Sequence, residues 1–418
     1  MPKYSGFSDA SGKTRHLPLK KYQWRGRLSN GQKAAGKLLA LSELQAHQQL
    51  IKQDIRALKI RESSLSLSER ILHKAGPRDI TLFTRQLATM LNAGIPLLQA
   101  LQMIAQNQEK AEVKSLLYLI SGKVEAGTAL SQAMRSVNPL FEGLYSDLIM
   151  AGEHSGQLPQ LLDRLATYRE KNEATRAQII KAMIYPVMVL IVALGVSFLM
   201  LTTVVPQFET MFSGFNAELP WFTRQVLKLS EWLRSYTLWL TGCSVVFCLA
   251  LRWHYRRSAG FRLKVSKHLL RIPLFGQLIT KSVISRFCRT MATSFSAGIP
   301  VLDGLKTGAK TAGNHHYEKV IQRLAEQAAS GMPIHIAMRK SQEFPDLVQQ
   351  LIMIGEESGS LDQMMNKIAT IYESEISNTV DNLGKLLEPL IVIILGLVVG
   401  GLVISMYLPI FSLMNVLG

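Results

Sequence analysis
The chain repeats itself. Sliding it against itself by 204 residues sets Phe83, Arg85, Ala88 and Thr89 on Phe287, Arg289, Ala292 and Thr293. The same shift sets Ala93-Gly94-Ile95-Pro96 on Ala297-Gly298-Ile299-Pro300. It also sets Gly127, Ala133, Met134 and Arg135 on Gly331, Ala337, Met338 and Arg339. After a one-residue gap the shift is 203, and Leu148-Ile149-Met150 meets Leu351-Ile352-Met353. Gly152-Glu153, Ser155-Gly156 and Leu158 then meet Gly355-Glu356, Ser358-Gly359 and Leu361. So ordered a series is a tandem duplication, and one fold must therefore appear twice.

The duplication continues into apolar sequence, pairing Pro186 with Pro389, Pro206 with Pro409 and Phe208 with Phe411. Ala182–Val205 holds no charged residue, and Val187–Val205 alone crosses ~30 Å of hydrocarbon at about 1.5 Å per residue. Leu390–Phe411 is its counterpart. A middle run, Ser235–Leu251 between Arg234 and Arg252, is just long enough, with Trp232, Trp239 and Trp253 as interfacial anchors. A buried soluble helix is the alternative for that run. The pattern predicts transmembrane helices over 182–205, 235–251 and 389–412. Hydrophobic residues at 48% together with a net charge of +17 fit a membrane protein with basic cytoplasmic faces.

That charge is unevenly placed. Residues 1–78 carry 16 Lys+Arg against 5 Asp+Glu, and residues 252–302 carry 10 Lys+Arg and no acid. Arg252, Arg256, Arg257, Arg262, Lys264 and Lys267 follow the middle run directly, which puts that side in the cytoplasm against anionic lipid. Nucleic-acid binding is the rival reading of such basicity, and adjacency to an apolar span argues against it. The 206–234 loop is charge-balanced, as an external loop can be. The N-terminus is then inside and the C-terminus outside. The middle run has no counterpart in the repeat. It returns the chain across the membrane, so both copies face the cytoplasm.

Within each copy the period is helical. Ile80, Phe83, Leu87, Met90 and Leu91 form one apolar stripe, ended at Gly94 and restarted at Pro96. About six short helices fit each copy, in an antiparallel bundle. The domain boundaries expected are 1–78, 79–181 for the first bundle, 252–388 for the second, and a tail at 413–418. The last helix of each copy runs into the membrane, where Pro186 and Pro389 are expected to kink or break it. The N-terminal region differs: Tyr22–Leu28 and Lys33–Leu39 read as a hairpin around Ser29-Asn30-Gly31. A helix near Ser42–Ile51, an extended Arg56–Ile60 and a basic linker over Ser63–Lys74 follow. The fold class expected is all-α membrane protein, two tandem six-helix bundles with three transmembrane helices and a small mixed N-terminal region. No cleavable signal peptide is expected, because Met1–Leu19 lacks an apolar core.

Chemistry is hard to find. Gly6 to Gly12-Lys13-Thr14 has one residue too many for a phosphate loop, and no strand precedes it. The three cysteines, Cys243, Cys248 and Cys288, lack metal-site spacing, and His315-His316 sits where two helices join. No ionisable residue lies deep in a span, which disfavours a transporter. The short 206–234 loop disfavours a sensor. No catalytic, cofactor or metal site is expected. The twice-used Gly-Glu-x-Ser-Gly-x-Leu stretch reads as a helix–turn–helix corner, with Gly156 or Gly359 ending a helix beside Gly152 or Gly355. Glu153 and Glu356 fit that corner badly, because a carboxylate at a helix C-terminus opposes its dipole. They are read as candidate contacts to a subunit or partner. Asp303 stands where the first copy has Gln99, so an ion bridge common to both copies does not follow. Gly396-x-x-x-Gly400 in the last span is a helix-packing pattern.

Phe83-Thr84-Arg85-Gln86-Leu87-Ala88-Thr89-Met90-Leu91, Ala93-Gly94-Ile95-Pro96-Leu97, Ala151-Gly152-Glu153, Tyr168-Arg169-Glu170-Lys171 and Ala182 with Tyr185-Pro186 together resemble the PilC/GspF family of inner-membrane platforms. The resemblance runs from about Tyr22 to the end and includes the duplication. It implies a bacterial inner-membrane platform of a type IV pilus machine, with the F protein of type II secretion as the near alternative. Implied partners are hexameric extension and retraction ATPases, pilins, inner-membrane alignment proteins and further copies of the chain. Under it, Gly94, Pro96, Glu153, Gly298, Pro300 and Glu356 become candidate interface residues.

Overall fold
The computed structural model describes residues 20–28, 32–40, 43–52, 54–63, 72–141, 143–207, 220–273 and 275–417. The turn Ser29-Asn30-Gly31, the Gly6–Thr14 stretch, most of the Ser63–Lys74 linker and Phe208–Leu219 lie outside these. The N-terminal region is the expected hairpin with one strand added. Strands β1 (Lys20–Leu28) and β2 (Lys33–Ala40) pair antiparallel with Trp24 opposite Gly36, helix α1 (Glu43–Lys52) follows, and β3 (Ile55–Ser63) returns to the other edge of β1. Tyr22, Ala40 and Ala46 form its small core.

The first copy is helical throughout. Helices α2 (Pro77–Asn92), α3 (Leu97–Gln106), α4 (Ala111–Glu125), α5 (Leu130–Val137) and α6 (Leu144–Ser155) lead into the long α7 (Leu158–Leu199). Helix α2 starts where Pro77 supplies a preset first turn and the Gly76 N–H donates to Asp79 Oδ2 at 2.8 Å. Its stripe buries Ile80, Phe83 and Leu87 completely or nearly so, each worth about 1.5–3 kcal/mol of apolar burial. Phe83 meets Phe141 edge-on at 6.3 Å, and Phe141 meets Tyr145 at 5.2 Å. Burial pushes the Tyr145 phenol up to about 12, and its hydroxyl pairs with Thr84 Oγ1 at 2.9 Å.

Between the copies stand α8 (Trp221–Arg257) and α9 (Ala259–Leu269), the latter capped by Ser258 Oγ accepting the Phe261 N–H at 3.2 Å. The second copy then repeats the first, helix for helix: α10 (Phe275–Ser296), α11 (Val301–Thr311), α12 (His315–Ala329), α13 (Ile334–Ser341), α14 (Asp346–Ser358) and α15 (Leu361–Leu417). Phe287 lies 6.1 Å from Phe344, as Phe83 lies from Phe141. At α12, Asn314 Oδ1 accepts the His316 N–H at 2.9 Å, an ordinary cap.

The chain divides into two compact units. One holds residues 1–174, 284–313 and 317–370, the other residues 175–283, 314–316 and 371–418. In the second unit, Ile179 and Ala182 of α7 pack with Leu278 and with Ile376, Val380 and Leu383 of α15. Gln178 Nε2 donates to Ser377 Oγ at 2.6 Å, and Lys281 pairs with Glu375 at 3.1 Å.

Among the described residues two helical stretches are long and apolar enough to cross a membrane, Leu158–Gln207 and Leu361–Leu408, with mean hydropathy 2.6 and 2.7 in their most apolar windows. A third exists if Trp221–Thr237 and Thr241–Tyr255, bent by 61° at their junction, form one span. Helix therefore begins at Trp221, inside the stretch read from sequence as a loop. Neither proline breaks its helix. Pro186 lies inside α7 and Pro389 inside α15; each removes one backbone donor, and the flanking hydrogen bonds of a long helix hold it together.

Candidate functional site
The Gly-Glu corners are built the same way in both copies. A Cβ on Gly152 would stand 3.0 Å from Leu158 Cα, and one on Gly355 would stand 3.0 Å from Leu361 Cα. The glycines let two helices cross backbone to backbone. Gly156 and Gly359 end α6 and α14 in the left-handed region (φ 68° and 67°), as Gly94 and Gly298 do after α2 and α10 (82° and 74°). Pro96 and Pro300 take the N-cap positions of α3 and α11.

The carboxylates at these corners leave their own helix and reach another. Glu153 accepts the Leu130 N–H, the Ser131 N–H at 3.3 Å and the Ser131 hydroxyl at 2.5 Å. Glu356 accepts the Ile334 N–H at 2.6 Å and the His335 N–H at 3.0 Å, and meets His335 Nδ1 at 2.6 Å. Each therefore sits on the positive N-terminal end of α5 or α13 and satisfies donors that the helix itself cannot. The dipole conflict expected from sequence is absent, since the side chain answers a different helix. The partner lies 22 or 23 residues away, beyond what local patterns reveal.

The two copies meet within the first unit. Tyr168 and Thr290 share a hydroxyl–hydroxyl bond of 3.0 Å, and the Arg164 guanidinium donates to the Ser296 carbonyl. Thr307 Oγ1 donates to Asp147 Oδ2 at 3.2 Å, and Ala297 and Ile299 pack on the first copy's core. Burial raises the Asp147 carboxyl, partly offset by Thr307, and burial lowers Arg286. The second Ala-Gly-Ile-Pro corner thus packs on the first copy through Ala297 and Ile299, while Gly94, Pro96, Gly298 and Pro300 are all exposed.

Beside this contact Arg85 ties α2 to α7, donating to Asp163 at 2.5 Å and to Glu170 at 2.7 Å. The bond to Glu170 raises the Arg85 guanidinium and lowers the Glu170 carboxyl. Its counterpart Arg289 donates to Asn366 and to Thr370 at 3.2 Å. Asp303 pairs only locally in the described contacts, with Lys306 at 3.3 Å. Among the described residues no group of three or more His, Cys, Asp or Glu is placed to hold a metal ion. Cys288 is buried in the second copy, and burial raises its thiol.

In the second unit, α8 carries hydroxyls that sequence reading missed. Thr223 Oγ1 donates to the Ser405 carbonyl of α15 at 2.8 Å. Ser230 Oγ donates to the Leu201 carbonyl, within the π-helical turn Met200–Val204 that continues α7. In apolar surroundings such donors relieve carbonyls freed by irregular helix. The signal was present: Thr223, Leu227 and Ser230 recur at i, i+4 and i+7 and are all buried. Gly396 and Gly400 meet nothing within 4 Å of a built Cβ, whereas Gly401 is approached by Phe222 at 3.9 Å. Arg252 and Arg257 are exposed on the last turns of α8, with Arg256 between them in sequence, and Arg257 lies over the Trp253 ring at 5.2 Å.

The family model described as type II secretion system (T2SS), protein F matches residues 83–206 and again residues 287–409. The two matches start 204 residues apart and end 203 apart, as the internal repeat does. The type IV pilus assembly protein TapC of Aeromonas hydrophila is 43% identical over 399 residues, covering 95% of this chain and 96% of that one. The type IV pilus assembly protein PilC of Pseudomonas aeruginosa is 43% identical over 371 residues, covering 88% and 98%. The type II secretion system protein F of the same species is 29% identical over 395 residues, covering 94% and 97%. Matched twice by one model and along nearly its whole length by these relatives, the chain belongs to the type II secretion system protein F family, on the side of the type IV pilus assembly proteins.

Proposed function
We propose that this chain is the inner-membrane platform of a type IV pilus machine, a non-catalytic part that couples cytoplasmic ATPases to the movement of pilins. The observation that carries this reading is the 43% identity to pilus assembly proteins across both copies and the apolar stretches between them. The apolar helices and the family support a bacterial inner-membrane location. The proposed layout is two six-helix cytoplasmic bundles at 79–181 and 252–388, three spans, the N-terminus inside and the C-terminus outside. Hexameric extension and retraction ATPases bear on the bundles, and inner-membrane alignment proteins and pilins meet the spans. The basic block at Arg252, Arg256 and Arg257 rests on anionic lipid rather than nucleic acid.

The geometry suits transmission. Helices α7 and α15 run from bundle into apolar sequence without interruption, over 42 and 57 residues. Each bundle therefore continues along the chain into its apolar segment as one helix, less the backbone donor that Pro186 or Pro389 removes. Gly396 and Gly400, open in the single chain, are proposed contacts for another span. The exposed first corner at Gly94 and Pro96 is a proposed contact for a neighbour.

A clean deletion in the native cell, scored for surface pili and secreted hydrolases together, tests this. Loss of pili with secretion intact is expected. A secretion defect with pili intact would move the chain to type II secretion, the reading that the 29% identity to a type II F protein keeps in view.

A further inference from the structure
The two copies meet through surfaces that do not correspond under the repeat. The second copy contributes α10 and α11, with Thr290, Ser296, Ala297, Ile299 and Thr307. The first copy contributes α6 and α7, with Asp147, Arg164 and Tyr168. A contact between unlike faces of like domains is heterologous. It necessarily leaves one face of each kind unused at the two ends of the pair.

Both unused faces can be located by the repeat offset. The counterpart of α10–α11 is α2–α3, where Asn92, Ala93 and Gln99 are exposed and Leu82 and Met103 are 55% and 39% exposed. The counterpart of α6–α7 is α14 and the start of α15, where Gln350 and Lys367 are exposed. Leu347 there is 43% exposed. Large apolar side chains thus remain uncovered on the two faces whose counterparts are already joined inside the chain. The first face also lacks charge where the joined one has it: Leu82, Gln99 and Gln106 stand at the positions of Arg286, Asp303 and Lys310. No charged group at these three positions would have to be desolvated to bury it.

We propose that a second copy of this chain seats its α14–α15 face, with Leu347, Gln350 and Lys367, on the α2–α3 face of its neighbour, with Leu82, Ala93 and Met103. Chains then associate head to tail by repeating between molecules the contact already made within each one. The inference stands on the unmatched faces and does not depend on the pilus reading.

The intrachain pair Thr307 and Asp147, 3.2 Å apart, marks the intermolecular pair to test: Met103 of one chain and Gln350 of the next. Full-length chains carrying Met103→Cys or Gln350→Cys, with Cys243, Cys248 and Cys288 replaced, are given different tags, co-expressed and oxidised in membranes. A disulfide-linked dimer bearing both tags is expected from the mixture. It should be lost when either variant is expressed alone, and when Lys319→Cys replaces Gln350→Cys. Self-linking of Met103→Cys would show a two-fold contact and overturn the proposal. So would absence of any link in chains that melt like the parent and whose cysteines react with maleimide. Linkage of Met103→Cys to a different protein in place of Gln350→Cys would overturn it as well. A second pair, Gln99→Cys with Gln350→Cys, separates a specific interface from chance collision. Its link should disappear when Met103→Glu is added to the Gln99→Cys chain, and a link that survives this charge would mark collision and overturn the proposal.

Discussion
Replacing Phe287 by alanine is expected to destabilise the second copy by about 3–5 kcal/mol, the cost of emptying a large, fully enclosed aromatic site. Phe287 is completely buried, 6.1 Å from Phe344. Its ring presses on Gly308 so closely that a Cβ there would stand 2.9 Å from Phe287 Cδ2. The helix pair α10–α11 is shaped around that ring, so little can collapse into the space without moving backbone. Phe287→Leu, which keeps most of the volume, should cost clearly less. Thermal melting of the detergent-solubilised chain, followed by circular dichroism at 222 nm, reads the difference as a lower midpoint for the first helical transition. An unchanged midpoint in Phe287→Ala would mean that the second copy does not depend on this core.

Replacing Glu356 by alanine is expected to cost about 2–3 kcal/mol, between the loss of a good helix cap and the loss of charge-assisted hydrogen bonds. The carboxylate serves the N–H groups of Ile334 and His335 and the His335 ring. Alanine leaves those donors partly buried without an acceptor, whereas Glu356→Gln keeps one. Amide hydrogen exchange of the peptide over Ile334–Ser341 should quicken at least tenfold in the alanine variant, since about 1.4 kcal/mol is a factor of ten. It should quicken less in the glutamine variant, with the matching Leu130–Val137 peptide unchanged. Equal protection in all three proteins would deny the cap its role.

Much of the fold was legible because its signals are local or repeated. The hairpin of β1 and β2, the stripe of Ile80, Phe83 and Leu87, and the corners at Gly94 and Gly298 each follow from residues a few positions apart. The duplication then doubled every one of the helical signals, and Phe141 with Phe344 adds another pair at the 203 shift. What escaped depends on distance along the chain. Glu153 and Glu356 read from sequence as contacts to a subunit or partner, because the N–H groups they serve at Leu130 and Ile334 lie 23 and 22 residues before them. Asp147 and Thr307 are separated by 160 residues, and nothing in either sequence neighbourhood announces the bond. That neither proline breaks its helix has another reason. A proline breaks an isolated helix, but a helix held by packing on one side and apolar sequence on the other tolerates one missing hydrogen bond.

In the proposed layout both copies face the same side of the membrane, with Trp221–Tyr255 crossing it once between them. Single cysteines at Gln132, Gln225 and Gln322, in a chain whose native cysteines are replaced, test it by labelling intact spheroplasts with a membrane-impermeant maleimide. Labelling at Gln225→Cys alone, with Gln132→Cys and Gln322→Cys reacting only after lysis, is the predicted result. Labelling of Gln322→Cys in intact spheroplasts would instead put the second copy outside and make the bent helix pair a re-entrant segment rather than a span, overturning the proposed layout.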